Sequence, residues 1–575
     1  EYHDEPSLRY GDNVAAVLNY IVRRHQTGGY IGINADIPMS CIWGNNNVTA
    51  KINHKKSEWG INYYGGYRSF KNYWRENSET FNFENDPSFT RVEEGIPDKV
   101  KMHRDNLTMS YSYQEEEKWF INVALRGNFR GNKQNTQSTL YPISNPANSV
   151  EMKDYTGSNS KSPSLDIYLQ RNLKHNQAII LNTVGTYIHT YDDRTYEEKK
   201  HSDIVTDIYS AIRGKKYSFI GEGIYEKRFT NSKFSTGIRH QQSLTENRYA
   251  GTSSAETQMQ EAYTSTYVEY SCKVKKFNYS LGLQGSRSWF NQEGEGYQQY
   301  SFLPRLRLTY NFSDHAFIRY QGDISRSTPA LSDLNNVEQL IDSLQIRRGN
   351  PTLKMSTVYN NTLNFDYRKG LFSGSLYLLY QYQRKPNMEE TIRENDLFIR
   401  TIANQRSWQK LNPEIEVKVG PFKDILSLSV TTGINYFDSR GHNYHHTYTN
   451  WYYRASIMAS YKNWSSFFEI QNHRNDFYGE TLRYGENYHI LGINYRYKQL
   501  TAGIMGLNLF SDNYKVGSEN FNSSAPSKNW MYIKESSRMI AVSIAWNFSF
   551  GRKYESAEKR LHNEDNNAGT LKSGK

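Results

Sequence analysis

The chain has 575 residues, of which 37% are hydrophobic and 14% aromatic, including 47 tyrosines. Disordered chains are poor in aromatic residues, so this composition indicates many half-exposed strands with tyrosine at an interface. The net charge of +11 comes from Lys and Arg residues that are spread along the whole chain. That spread argues against nucleic-acid binding, which needs a concentrated basic patch. Cys41 and Cys272 are the only cysteines, which excludes a disulfide framework or a cysteine metal motif.

The chain starts without a methionine or a signal peptide, so we expect a mature product or a piece of a longer protein. No stretch approaches the roughly 18 apolar residues of a membrane-spanning helix. One compact apolar segment, VAAVLNYIV at 14–22, lies between Gly11 and the pair Gly28-Gly29. It is too short to span a membrane, and a strand that is apolar on both faces is typical of the interior of a small globular domain.

Beyond this segment, apolar and polar residues alternate with a period of two. In KWFINVALRGNFR (118–130), the apolar residues Trp119, Ile121 and Val123 fall on one face, opposite a mostly polar face. Successive side chains of a strand point to opposite sides, so each such strand has one apolar and one polar face. The same pattern recurs in the segments 316–324, 372–383 and 539–550.

The lengths and connections of these strands predict a membrane barrel. They run for about 10–15 residues, which suits a tilted crossing of hydrocarbon, whereas sandwich strands have about five to six. Tight turns, such as 174–175, alternate with long polar connections, such as 190–213. If 190–213 is one loop, the strands from 28–38 to 537–550 number about 22, and a closed sheet leaves no edge in lipid. Counting 203–212 as a separate strand would make the number odd. A lumen of this size requires a plug.

Polar residues on the inward faces, together with aromatic residues in the long loops, are the candidates for lining the passage. The inward candidates are Arg126, Asn128, Arg319, Gln321 and Asp323, and the loop aromatics are Trp74, Tyr191 and Tyr478. The favoured interpretation is that the inward residues hydrate the lumen or hydrogen-bond a plug. The functional alternative is that they grip an anionic or polar substrate, since convergent aromatic and polar groups are typical of ligand sites.

The sequence has one histidine cluster that could bind a metal, and it has no catalytic motif. His442, His445 and His446 lie on one short loop, and imidazoles suit zinc, copper, nickel or haem iron. Three histidines on an exposed loop are more often a solvated tip, so they are only a weak candidate for metal capture. The sequence has no Gly-x-Ser-x-Gly elbow and no His-Glu-x-x-His motif, so we expect no enzyme.

Several segments, in order, resemble the TonB-dependent transporters of Gram-negative outer membranes, in particular the branch common in Bacteroidota. FLPRLRLTYNF (302–312) is similar to a Phe-Pro strand of that family, and AWNFSFGRK (545–553) to its closing aromatic strand. SRSTPALSDLNN (325–336) and RRGNPTLKMS (347–356) resemble its Arg-Pro and Gly-Asn-Pro loop, although Met355 stands where the family often has proline. The residues that carry this loop motif are Arg348, Gly349, Asn350 and Pro351.

The first apolar segment fits the same resemblance. RYGDNVAAVLNYIVRR (9–24) resembles the last part of the family's plug domain. The residues that carry this likeness are Arg9, Tyr10, Gly11, Val17, Asn19 and Ile21. The resemblance therefore implies a fragment that lacks most of its plug and the box that binds TonB.

The resemblance implies an all-β chain: a transmembrane antiparallel β-barrel of about 22 strands at 28–551, after a C-terminal plug remnant at 1–27. We expect a disordered polar tail at 552–575, because it holds almost nothing apolar. The implied function is active uptake of a siderophore, haem, oligosaccharide or peptide across the bacterial outer membrane. The implied partners are the TonB–ExbB–ExbD system, outer-membrane lipids and the substrate, around a monomeric barrel without a cofactor.

Two alternatives remain open at this stage. The first is a passive porin, which would have no use for residues 9–24. The second is a surface-binding or adhesion protein whose barrel only anchors its loops. The sequence does not identify the substrate.

Overall fold

The structure, a computed structural model, describes residues 2–3, 17–18, 27–39, 41–84, 86–115, 118–551 and 559–574, with the backbone alone for 2–3 and 17–18. Tyr2–His3 pairs antiparallel with Val17–Leu18. The other residues of the predicted plug remnant lie outside the described residues, and these are Arg9, Tyr10, Gly11, Asn19 and Ile21.

The main body is a closed antiparallel barrel of 22 strands, as the alternation predicts. The wall strands are β1 (Gly28–Pro38), β2 (Ile42–His54), β3 (Ser57–Phe81), β4 (Asp98–Glu115), β5 (Trp119–Pro142), β6 (Val150–Leu173), β7 (Gln177–Lys200), β8 (Asp203–Arg228), β9 (Ser232–Gly251), β10 (Ala255–Val274), β11 (Phe277–Gln292), β12 (Glu295–Ser313), β13 (Ala316–Ser327), β14 (Ser356–Lys369), β15 (Phe372–Arg384), β16 (Ser407–Phe422), β17 (Leu426–Arg440), β18 (His445–Tyr461), β19 (Trp464–Gln471), β20 (Tyr488–Tyr497), β21 (Leu500–Leu507) and β22 (Met539–Gly551). The barrel closes between β1 and β22, where Gly28 pairs with Gly551.

The period of two places apolar side chains outside and polar ones inside. On β5, Leu125 and Phe129 are exposed on the outer face, whereas the polar residues Arg126 and Asn128 lie on the inner face. The outer positions of neighbouring strands form a continuous apolar belt. Its members include Leu165, Ile167, Leu181, Phe219 and Ile238. Outside apolar side chains suit lipid, and an interior with many polar groups suits a passage.

Several connections that the sequence predicts as long loops are extensions of the wall strands. The predicted loop 190–213 is wrong: it forms the paired ends of β7 and β8, with Tyr191 opposite Arg213 and a turn at 201–202. Residues 203–212 begin β8, so the even count holds. Both faces are polar here because the strands continue beyond the hydrocarbon, which needs only about 9–11 residues.

Short strands and loops cover the end of the barrel that carries the long connections, which is the extracellular end in this class. The strands outside the wall are Phe89–Ile96, Glu338–Leu340, Gln345–Arg348, Asn387–Glu394, Leu397–Asn404, Asp476–Tyr478, Thr481–Arg483, Lys515–Asn520 and Ser527–Ile533. Four of them, within 338–348 and 387–404, form a separate sheet, called here the cover sheet. The described helical segments are α1 (Leu331–Leu334) and a 3₁₀ turn at Lys534–Ser536. In the described ranges, no helix has the length and apolar character needed to cross a membrane.

The C-terminal segment differs from the expectation of a disordered tail. Residues 559–574, called here the tail segment, lie inside the barrel without regular secondary structure. Leu561 and Leu571 are buried, at 2% and 5% exposure. The segment runs along the inner face of β5–β9, called here the tail wall, from Asp166 toward Asp192. Its few apolar residues and its charges find partners on that wall, which composition alone does not reveal.

Candidate substrate-binding lumen

Two of the predicted lumen residues lie on the tail wall. The guanidinium of Arg126 contacts the carboxylate of Asp166 and donates to the backbone oxygen of Asn563 at 3.2 Å. The amide of Asn128 donates to Glu564 at 3.5 Å. Both side chains face inward as predicted, and both contact the tail segment.

The other three predicted lumen residues lie on β13 and bond to neighbouring strands. Gln321 accepts a hydrogen bond from Arg307 at 3.0 Å and donates to Asp323 at 3.3 Å. Asp323 also accepts from Asn360 at 3.0 Å, and Asn360 accepts from Gln381 at 2.8 Å. This inner face of β12–β15 is called here the ladder wall, because its hydrogen bonds run from strand to strand.

Arg319 lies at the same face, nearer the short turns. Its guanidinium lies 5.1 Å from the centre of the Phe317 ring and is 3.4 Å from the hydroxyl of Thr309. The five predicted residues therefore form two groups, Arg126 with Asn128 and the β13 trio.

The loop between β13 and β14 folds inward across the lumen. Leu331 and Leu334 of α1 pack with Leu353 against Met259 and Phe290 of the wall. Farther along the loop, Val337 packs with Ile212 and Tyr249 of the tail wall. The loop thus bridges from its own strands to the opposite part of the barrel and narrows the passage.

The Gly-Asn-Pro motif fixes this loop to the cover sheet. The Arg348 guanidinium binds both carboxylate oxygens of Glu394, at 2.6 and 2.8 Å. A Cβ on Gly349 would overlap the backbone oxygen of Asn335, so only glycine fits this approach. The amide of Asn350 donates to the carbonyl of Ile402 at 3.0 Å, and Pro351 is buried. The motif therefore has a structural role in the described contacts.

Buried arginines tie the inward loop to the rim of the barrel. Arg91 donates to Asp342 of the loop at 2.6 Å and to Glu79 of β3 at 2.9 Å. Arg194 binds Asp154 at 2.8 Å and the carbonyl of Ile341 at 2.8 Å. Buried charges are stable only when paired, so the position of the loop is coupled to these contacts. This network was not predicted from the sequence. Its one signal in the sequence is the run of charged residues along strand ends that were predicted to be loops.

Two arginines of the cover sheet have pKa values below their usual range. For Arg347 the largest cause is burial, and the neighbouring guanidiniums of Arg194 and Arg400 add to the decrease. Burial likewise lowers the pKa of Arg400, whose guanidinium donates to Gln345 at 2.9 Å. Neighbouring carboxylates oppose both shifts, Asp333 at Arg347 and a group that includes Glu79 and Glu389 at Arg400, so burial is the main cause of the lowered pKa values.

The predicted loop aromatics lie in three different packing arrangements. Trp74 stacks on Tyr532, with ring centres 4.9 Å apart, and Tyr191 lies beside the guanidinium of Arg213 at 5.8 Å. Tyr478 packs against Trp408 at 5.4 Å in an extracellular aromatic cluster. Burial raises the pKa of Tyr478 to about 12. They do not converge on one ligand site.

The histidines also have separate partners. The imidazole of His442 lies 3.0 Å from the carbonyl of Asn404, and that of His445 lies 3.4 Å from Asp438. His446 lies 3.4 Å from Glu480. Within the part of the chain that the structure describes, no three His, Cys, Asp or Glu side chains are grouped to hold a metal ion.

Open space remains at both ends of the barrel. A cavity of 930 Å³ lies at the short-turn end of β10–β16, between polar groups such as Lys273, Asp366 and Glu416. A second cavity of 410 Å³ lies at the extracellular rim, where Phe89, Leu140 and Leu344 surround it near Arg91. The inward loop and the tail segment lie between these ends and occupy part of the passage.

Comparisons with known proteins agree with this architecture. A family model described as "Outer membrane protein beta-barrel family" matches residues 189–550. No curated protein matches the chain. Among solved structures, the fold is similar to the copper transporter OprC, with a TM-score of 0.64 at 10% identity, covering 92% of this chain and 81% of that one.

Two further structures have the same fold. The FrpB iron transporter from Neisseria meningitidis (F3-3 variant) matches with a TM-score of 0.59 at 9% identity, over 91% of this chain and 82% of its own. The ferric enterobactin receptor PfeA from Pseudomonas aeruginosa, in complex with BCV-L6, matches with a TM-score of 0.59 at 12% identity, over 92% and 82%.

Proposed function

Because the chain belongs to the outer membrane protein beta-barrel family and lies in the outer membrane, we propose that it is a TonB-dependent transporter. It takes up a substrate that is too large or too scarce for porins. The observation that carries this proposal is the lumen, which the inward loop crosses between β13 and β14. A wall of 22 strands with an obstructed passage suits gated transport better than free diffusion.

The substrate binds first at the extracellular cover, and no bond is made or broken in it. The classes that the sequence leaves open are siderophore, haem, oligosaccharide, peptide and vitamin. The buried guanidinium of Arg347, which has the like-charged Arg194 and Arg400 beside it, favours the anionic members of this set. The structurally similar proteins include a copper transporter, an iron transporter and a ferric enterobactin receptor, and this supports a metal chelate as the substrate.

Transport of a large substrate requires the inward loop to move, because the loop narrows the passage. Its contacts with Arg91 and Arg194 are buried ion pairs and hydrogen bonds, so their separation is costly. We assign this work to the TonB–ExbB–ExbD system, acting through a plug of which residues 9–24 form the end. The plug and the assignment to the Bacteroidota branch rest on the motif resemblance.

The test compares uptake and surface binding of a ferric siderophore in cells with and without the TonB system. Uptake that is lost on deletion, with binding retained, supports the transporter. Uptake that persists without TonB would overturn it in favour of a porin, and binding without uptake in either strain would favour an adhesion barrel. Arg347→Gln should weaken binding, whereas Arg248→Gln, at an exposed pair with Glu256, should leave it unchanged.

A further inference from the structure

The charges of the tail segment match those of the tail wall in order. At its start, Lys559 contacts the carboxylate of Asp166. In its middle, Asp565 lies 3.0 Å from the ammonium of Lys216. Near its end, Lys572 lies 2.6 Å from Asp192. A segment whose charges run positive, negative, positive thus faces a wall whose charges run negative, positive, negative. Opposite charges at several positions fix the register of a bound chain.

These wall groups are deeply buried. Lys216 is 1% exposed and Asp166 is 2% exposed. Lys216 also pairs with Glu261 at 3.0 Å, so the tail supplies one of its two carboxylates. Buried charges are stable only with partners, and here part of the partner set comes from the tail segment.

An apolar contact anchors the start of the segment. Leu561 packs in one cluster with Phe120, Tyr168, Ile180 and Ile224 of the wall. An apolar cluster on an inward face is unusual in a barrel whose lumen is polar. The tail segment gives these wall side chains an apolar partner.

Polar groups of the wall also form hydrogen bonds with the segment between its charged residues. The amide nitrogen of Asn563 donates to Asn182 at 2.8 Å and to Glu222 at 2.7 Å. Farther along, the backbone N–H of Leu571 donates to the hydroxyl of Tyr249 at 3.2 Å. The wall thus contacts both a side chain and the main chain of the segment, as in other modes of peptide binding.

The wall has a glycine beside Thr570 of the segment. A Cβ on Gly214 of β8 would lie 2.5 Å from Oγ1 of Thr190 in the wall and 2.8 Å from the Cγ2 of Thr570. Glycine at this position therefore leaves room both for the wall and for the tail. The shape of the wall agrees with the charge and apolar contacts.

We propose that the tail wall is a binding site for a polypeptide segment and that residues 559–574 are its internal ligand. The bound segment fills the lumen beside β5–β9 and contacts the inward loop, since the amide of Asn335 lies 3.4 Å from the carbonyl of Gly569. Any other occupant of this wall must displace the segment. The inference does not require transport, but a plug in the same lumen would compete with the segment for this wall.

The test measures access to the tail in the full-length protein. Thr570, which is 8% exposed, is replaced by cysteine after Cys41→Ser and Cys272→Ser. A water-soluble maleimide then labels the purified, folded barrel. We expect slow labelling, whereas a rate equal to that of a free peptide of residues 559–574 would overturn the proposal.

A charge exchange makes the test specific. The single variant Asp565→Lys changes the tail and leaves the wall intact. It should speed labelling at least about tenfold, because two like charges, the new lysine and Lys216, then meet in a buried position. Adding Lys216→Asp should restore slow labelling. The matched control is Lys215→Asp. It makes the same charge change on the outer face of β8 and should not change the labelling rate of the cysteine at position 570. An unchanged rate in Asp565→Lys, or no restoration in the double variant, would contradict the assigned register.

Discussion

The tail wall and the ladder wall use the same kinds of inward side chain in different ways. On the tail wall, Asp166 contacts Arg126 of the neighbouring strand and also Lys559 of the tail segment. On the ladder wall, Asp323 accepts hydrogen bonds from Gln321 of its own strand and Asn360 of the next. Polar groups inside a barrel can thus be satisfied laterally or by a second stretch of chain that crosses the lumen.

Burial separates the two walls further. Asp166 and Lys216 are almost inaccessible, whereas Gln321 and Asp323 remain half-exposed. A charge that is shielded from water depends strongly on its partner, and a half-exposed group can exchange that partner for water. Matched substitutions on the two walls should therefore lower the free energy of unfolding by different amounts.

The largest expected effect follows from Asp166→Asn. The change leaves Arg126 and Lys559 without their shared carboxylate in a buried position, and we expect a loss of about 3 kcal/mol in the free energy of unfolding. Asp323→Asn is the matched control on the ladder wall and should cost under about 1 kcal/mol. Urea unfolding of both variants in lipid vesicles measures the difference. Equal shifts would show that the two walls are equivalent.

The next effect concerns the apolar anchor of the tail. Leu561→Ala removes most of a buried side chain from the cluster with Phe120 and Tyr168, which should weaken tail binding by about 2 kcal/mol. The readout is the labelling rate of a cysteine at position 570, which should rise. Leu181→Ala, on the outer face of β7, is the control and should not change that rate. An equal response of both variants would mean that Leu561 does not anchor the segment.

Much of the barrel could be predicted from the sequence because the alternation of apolar and polar residues is local. The strand count and the two faces follow from it, as on β5 with Leu125 outside and Phe120 inside. The loop 190–213 was mispredicted because strand ends beyond the lipid are polar on both faces. Pairing between β7 and β8 there depends on the backbone, which hydropathy does not report.

The two walls could not be distinguished from sequence. Arg126 and Gln321 occupy equivalent positions in the alternation, yet one contacts the tail segment and the other its neighbouring strands. The difference depends on residues more than 200 positions away, such as Asn563. A low content of apolar residues predicts disorder for an isolated tail, but Leu561 and a few charges suffice when a complementary wall is present.

A smaller effect is expected where the inward loop meets the tail wall. The amide of Asn335 donates to the hydroxyl of Tyr249 at 2.6 Å, and the side chain is fully buried. Asn335→Ala should lower the free energy of unfolding by about 1 kcal/mol, because it removes this hydrogen bond. It should also speed proteolysis of the loop. Asn336→Ala, at the exposed neighbouring position, should leave both unchanged. If only Asn336→Ala loosens the loop, the contact with the tail wall does not hold it.

The smallest effect tests the cover above the ladder wall, where the hairpin 387–404 connects β15 to β16. Burial raises the pKa of Glu389, although hydrogen bonds from Thr481 and the backbone of Glu480 oppose the shift. The folded hairpin therefore takes up a proton more readily than the unfolded one. The stability from this group is fully present below its ordinary pKa of 4.5 and is lost as the pH rises through the raised pKa.

Proteolysis of this hairpin should accordingly become faster as the pH rises from 4.5 toward neutrality. Glu389→Gln removes the titration and should make the rate nearly independent of pH. Glu390→Gln makes the same charge change at the next position and should keep the dependence. Labelling of the tail cysteine should be the same in both variants, because the hairpin meets the ladder wall side of the barrel and the tail segment lies along β5–β9. If Glu389→Gln also changed the labelling rate of the tail cysteine, the two walls would respond as one unit, and the contrast between them would be wrong.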